Sequence, residues 1–120
     1  MKSLKSFGFF PNEPSAQAEE SLRQLTQKQA DPQEDRMVAY LEAGHEYAIV
    51  AEIAIDLLDS QHPVICVPNV CTDGEWAWTT DVVYYLKKYH IRLPAEFVAT
   101  MERNNWVVPV VEDFSEFELA

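Results

Sequence analysis

Between Thr72 and Leu86 the chain reads Thr-Asp-Gly-Glu-Trp-Ala-Trp-Thr-Thr-Asp-Val-Val-Tyr-Tyr-Leu, and this block constrains the fold more than any other. Asp73-Gly74 is a tight-turn signal, because glycine enters positive φ without steric cost and aspartate caps such turns through its side chain. Glu75 to Trp78 then alternates, which puts Trp76 and Trp78 on one face of a strand and Glu75 and Ala77 on the other. A helix follows at once. Thr79 or Thr80 caps it, Asp81 sits in its first turn, and Lys87 and Lys88 sit in its last, each charge matched to the helix dipole. Val82, Leu86 and Tyr89 make its core stripe, with Val83 and Tyr85 alongside.

The remaining elements follow the same cues. Residues 13–29 read as a helix capped by Asn12, with Pro14 in the first turn and an apolar stripe of Ala18, Leu22 and Leu25. A second helix runs from Pro32 to Ala43, capped by Asp31 and ended by Gly44. Pro94 opens a fourth near 94–104, where Leu93, Phe97 and Met101 recur at four-residue spacing. Residues 46–59 fit both a period of two and a period of 3.6. Their density of β-branched residues and the early Gln61-His62-Pro63 break favour strands. On either reading Glu52, Asp56 and Asp59 point outward. Pro63 to Val67 reads as a short buried strand, and Trp106 to Val111 as a final strand kept at an edge by Pro109. Phe7, Phe9 and Phe10 are too apolar for a free tail: they dock on the core as an edge strand or, alternatively, form a mobile arm that binds a partner. The tail from Glu112 to Glu118 alternates acid and phenylalanine, as a frayed terminus or a contact segment. The expected class is therefore α+β: about four helices with a small, mainly antiparallel β-sheet, in a single domain spanning 1–120.

Charge narrows what such a domain binds. Nine basic against twenty acidic residues give a net charge of −11. Residues 37–78 hold seven acids and no lysine or arginine. Phosphate binding needs cations, so nucleic acid is not an expected partner. A basic protein is, because a negative field steers it in and raises its association rate. Solubility alone is the plainer account of the total charge, less so of a segment without any cation. No apolar run reaches the roughly 20 residues of a membrane span, and Met1 to Phe10 lacks the apolar stretch of a secretory signal. A soluble, cytoplasmic protein without a membrane role is expected. Cys66 and Cys71, five apart, match neither a redox nor a zinc spacing and read as free buried thiols, with a disulfide as the lesser alternative.

Chemistry is hard to find. His45-Glu46 opens a zinc-protease pattern, but Ile49 stands where its second histidine belongs. His62 and His90 fall at a turn and a helix end. With only Gly8, Gly44 and Gly74 there is no phosphate-cradling loop, and no nucleophile elbow is present. Glu19-Glu20, Glu34-Asp35 and Glu112-Asp113 are neighbours in sequence and point apart on a helix. No cofactor, metal or catalytic residue is expected. The aromatic cluster of Trp76, Trp78, Tyr84 and Tyr85 beside Asp73, Glu75 and Asp81 suits core packing residue by residue; as a cluster it also suits a binding surface.

The run from Thr72 to Trp78, then Asp81 to Leu86, Tyr89-His90, Leu93-Pro94 with Glu96-Phe97, and Asn105-Trp106 with Pro109, resembles small bacterial immunity proteins that accompany secreted or contact-delivered toxins. The likeness covers residues 72–109; that family often has proline after the second tryptophan, where Thr79 stands here. It implies a neutraliser that binds a cognate toxin domain tightly and carries no catalytic residues. Together with the charge it sets the leading expectation: an immunity protein that occludes a basic toxin, a nuclease, through Asp73, Glu75, Trp76 and Asp81, with Glu52, Asp56 and Asp59 as a steering face. An acidic interaction module with another partner, and a small hydrolase or metal-dependent enzyme, are the alternatives. A pocket with two converging acids would favour the last.

Overall fold

The computed structural model describes residues 2–11, 13–50, 52–111 and 117–119. The expected cap at Asn12 and most of the acidic tail lie outside them. The elements in chain order are β1 (Lys2–Phe7), α1 (Ala16–Arg23), α2 (Glu34–Glu42), β2 (His45–Ile49), β3 (Ala54–Ile55), β4 (Val64–Cys66), β5 (Asn69–Thr72), β6 (Trp76–Thr79), α3 (Asp81–Tyr89), α4 (Ala95–Arg103) and β7 (Phe117–Leu119). The class is α+β, as the sequence leads one to expect.

Five strands form one sheet in the order β2-β5-β6-β1-β7, and β3 pairs with β4 in a second, two-stranded sheet. The pairs β2/β5, β5/β6 and β3/β4 are antiparallel, whereas β1 runs parallel to both β6 and β7. The start of the chain is therefore an interior strand rather than an edge, with Phe7 as its last residue and Phe9 and Phe10 beyond its end. Period-two alternation sorts β6 as expected. Trp76 and Trp78 enter the main core with Phe97, Tyr85, Leu86 and Met101, while Ala77 turns to the other face against Leu4 and Val70. Trp76 stacks on Phe97 at 4.6 Å between ring centres, and Trp78 lies 5.4 Å from the same ring. Both indole N–H groups are satisfied, Trp76 by Thr100 Oγ1 and Trp78 by the Leu41 carbonyl, each at 3.2 Å. A buried indole needs such a partner.

Helix ends depart from the sequence reading by up to six residues, since α1 stops at Arg23 rather than at residue 29. α1 begins at Ala16 because Ser15 is the cap, its hydroxyl accepting the Ala18 N–H at 3.0 Å. Asp31 holds the turn before α2 by accepting the Gln33 N–H at 2.8 Å. Gly44 stands two residues past the end of α2, and its value there is space: a Cβ would fall on Trp78 Cζ2. His90 closes α3 in the left-handed region, with φ of 54°.

Three expectations about strands need correction. Within residues 46–59 the strands are confined to β2 and β3, and Leu57 and Leu58 after β3 lie in a turn. Residues 63–67 are not fully buried: Val64 is 67% exposed and Val67 55%. The run from Trp106 to Val111 is not a strand. Asn105 and Trp106 both take positive φ and turn the chain sharply back after α4, Pro109 has no N–H to offer a ladder, and the Pro109 carbonyl instead bonds His45 Nε2 at 2.8 Å. Cys66 and Cys71 are free thiols; burial pushes the Cys71 thiol up to about 11.

Candidate functional site

The tight turn between β5 and β6 is locked by its own side chains. Asp73 Oδ1 accepts the N–H groups of Glu75 and Trp76 at 2.9 and 2.7 Å. Its other oxygen accepts the Tyr40 hydroxyl at 2.5 Å, and Asn104 Nδ2 donates to that hydroxyl at 3.0 Å. Burial, then the bond to Asp73, holds the Tyr40 hydroxyl well above the ordinary phenol range. Glu75 is half-buried, accepting Thr100 Oγ1 at 2.9 Å and Arg103 Nη2 at 2.5 Å. Asp73 and Trp76 are buried. Of the three turn residues expected to meet a partner, only Glu75 reaches the surface, and α4 already neutralises it.

The expected steering face is divided. Asp56 has no exposed surface. Its Oδ2 accepts the hydroxyls of Tyr84 and Tyr89 at 2.7 Å each and Lys88 Nζ at 3.2 Å, and its Oδ1 accepts the N–H groups of Leu58 and Asp59 at 2.9 and 3.1 Å. Burial alone would raise this carboxyl; the bonds from Tyr84, Tyr89, Leu58 and Lys88 outweigh it and leave it below its usual value. Burial and the bond to Asp56 push Tyr89 up to about 12. Asp59 is half-buried with Lys88 at 3.6 Å. Tyr85 adds a further staple, donating to the Ile55 carbonyl at 2.9 Å and accepting the Leu57 N–H at 3.0 Å. Asp56 is thus the anchor that clamps the segment after β3 to α3, and Glu52 alone of the three acids is exposed. Helical or strand periodicity marks which way a side chain leaves its own backbone; it does not reveal that α3 lies in that direction.

Asp81 is also buried, 3% exposed. It opens α3 on one wall of a cavity of about 260 Å³ that Glu52, Phe9, Phe10 and Pro68 also line. The structure thus gathers the predicted residues into three places: Asp73, Glu75 and Trp76 in the turn, Asp56 and Asp59 on Lys88, Asp81 and Glu52 at the cavity.

A surface feature escaped the sequence reading. Ile49, Ile53, Val64 and Val67 are each more than half exposed. They lie along two segments that run together, since Val50 N–H bonds the Pro68 carbonyl at 2.9 Å and Ala54 pairs with Cys66. β2 forms one edge of the large sheet, and Glu46 and Glu52 are exposed beside these aliphatics in sequence. The signal was present as β-branched residues at both phases of a short strand, which cannot all face one core.

Among the described residues no group of three or more His, Cys, Asp or Glu is placed to hold a metal ion, and no helix is long and apolar enough to cross a membrane. Comparison with protein-family models, curated proteins and solved structures finds no match.

Proposed function

We propose that this protein is an immunity protein that binds a basic toxin domain, a nuclease, and neutralises it by occlusion. One observation carries the reading. The cation-free segment 37–78 holds the edge strand β2 and the exposed aliphatic side chains of Ile49, Ile53, Val64 and Val67, with the exposed carboxylates of Glu42, Glu46 and Glu52 in the same segment. An apolar patch with a polar rim is the usual make-up of a protein interface. The aliphatics supply desolvated contact, and the acids steer a basic partner and fix its register. The contact face is therefore the β2 edge with the β3–β4 hairpin, not the tryptophan turn.

The test is whether the reading frame beside this chain encodes a secreted protein with a basic C-terminal domain, and whether that domain, co-expressed with this chain, is captured by it. A tight complex is expected, with an association rate that falls steeply as salt rises towards ~0.15 M, where screening acts over about 8 Å. Absence of a complex, or an association rate indifferent to salt, overturns the proposal and leaves an acidic interaction module with another partner.

A further inference from the structure

Asp81 Oδ1 is buried without a hydrogen-bond partner among the described residues, although the carboxyl as a whole is partly held by the Thr79 hydroxyl and the N–H groups of Asp81 and Val82. A buried carboxylate oxygen left unpaired is costly, and native structures keep such atoms where something completes them. The cavity beside it is lined by Phe9, Phe10, Pro68 and Thr79, with Glu52, an exposed residue, also lining it. No lysine or arginine is among the described residues that line it.

The wall is held in place. Phe9 N–H donates to Thr79 Oγ1 at 3.0 Å, and Phe10 packs edge-on against Tyr85 at 5.1 Å. Gly8 lets the arm approach this closely, since a Cβ there would lie 2.7 Å from both Thr79 Oγ1 and Val82 Cγ2.

A site with one buried acid, one rim acid, aromatic walls and room for several heavy atoms suits an organic cation rather than a bare ion. A guanidinium or ammonium donates to the free oxygen, its charge lies favourably over phenyl rings, and its alkyl stem covers apolar walls. We propose that this cavity receives one arginine or lysine side chain of the bound partner, with Asp81 as its buried counter-ion and Glu52 at the entrance. The proposal rests on the basic-partner reading above and gives it a specific anchor point.

Titration of the full chain, 15N-labelled, with N-acetyl-arginine methylamide tests it without any partner protein. The expected result is saturable shifts at the amides of Phe9, Thr79 and Val82. The uncharged citrulline analogue should leave them unmoved. Asp81→Asn should bind the arginine probe at least about tenfold more weakly. Glu52→Gln, at an exposed position that cannot upset the fold, should weaken it about two- to threefold. Equal binding of the citrulline analogue, or unchanged affinity in both variants, overturns the proposal. Should the arginine probe bind while no basic domain does, the immunity reading fails and the cation pocket stands. Should a basic domain bind equally to wild type and Asp81→Asn, the pocket fails and the immunity reading stands.

Discussion

Asp56 and Tyr84, 28 residues apart in sequence, meet at 2.7 Å between Oδ2 and the phenolic hydroxyl. With Tyr89 and Lys88 on the same oxygen, this contact turns an acid of the cation-free segment into the latch that closes the segment after β3 onto α3. Replacing Asp56 by alanine leaves two hydroxyls, an ammonium and two backbone N–H groups without their shared acceptor. The expected cost is about 2–4 kcal/mol, read as a lowered urea midpoint with an unchanged slope. Stability equal to wild type would show the latch to be inert.

The same carboxyl sets an acid limit. Its folded-state pKa is lowered, so the native state holds fewer protons than the unfolded chain between the folded value and the unfolded value of about 3.9. Its contribution is fully present above about pH 4 and is lost as pH falls through the folded value. Asp56→Asn should therefore narrow its stability deficit against wild type in that acid window. A deficit that stays constant down to about pH 2 would contradict the assignment.

Asp81 should behave in the opposite sense. Burial raises it, partly offset by hydrogen bonds from the Thr79 hydroxyl and the N–H groups of Asp81 and Val82. The native state then binds more protons than the unfolded chain just above about pH 4, so wild-type stability falls as pH rises through the raised value. In the isolated protein, Asp81→Asn should be more stable than wild type at pH 7, by about 1 kcal/mol. The gain should vanish below about pH 4. Thermal melts at the two pH values decide it.

Gly44→Ala places a methyl group against the Trp78 ring and near Cys71 Cβ. Trp78 is fully buried and held by its bond to Leu41, so it has nowhere to go. Overpacking should cost about 1–3 kcal/mol, with a shift of tryptophan emission. A neutral substitution would mean that α2 moves aside freely.

Ile53→Ser and Val67→Ser should alter stability by less than about 0.5 kcal/mol, since both side chains are more than half exposed. The same substitutions should weaken capture of a basic toxin domain. Capture equal to wild type by both variants would remove these residues from the contact face.

Helix existence, the turn at Asp73-Gly74 and the shared face of Trp76 and Trp78 were legible in the sequence, because capping, φ preference and side-chain periodicity are properties of a few consecutive residues; that this face is the core, so that Trp76 is buried rather than at a contact surface, was not. The parallel place of β1 between β6 and β7 was not, because partners 71 and 115 residues apart, as in Lys5 with Trp76 and Lys2 with Phe117, leave no local mark. Nor was the failure of 106–111 to form a strand, which turns on two left-handed residues and a histidine contact from β2.

The sequence by itself determined the α+β class, the excess of carboxylates and the absence of cations from 37–78. Tertiary structure alone decided which carboxylates face water. Asp56, Asp73 and Asp81 went inside, Asp59 and Glu75 met the protein's own lysine and arginine, and Glu42, Glu46 and Glu52 stayed outside. The reason is that charge is counted along the chain, whereas desolvation and hydrogen bonding depend on what other elements bring within three ångströms.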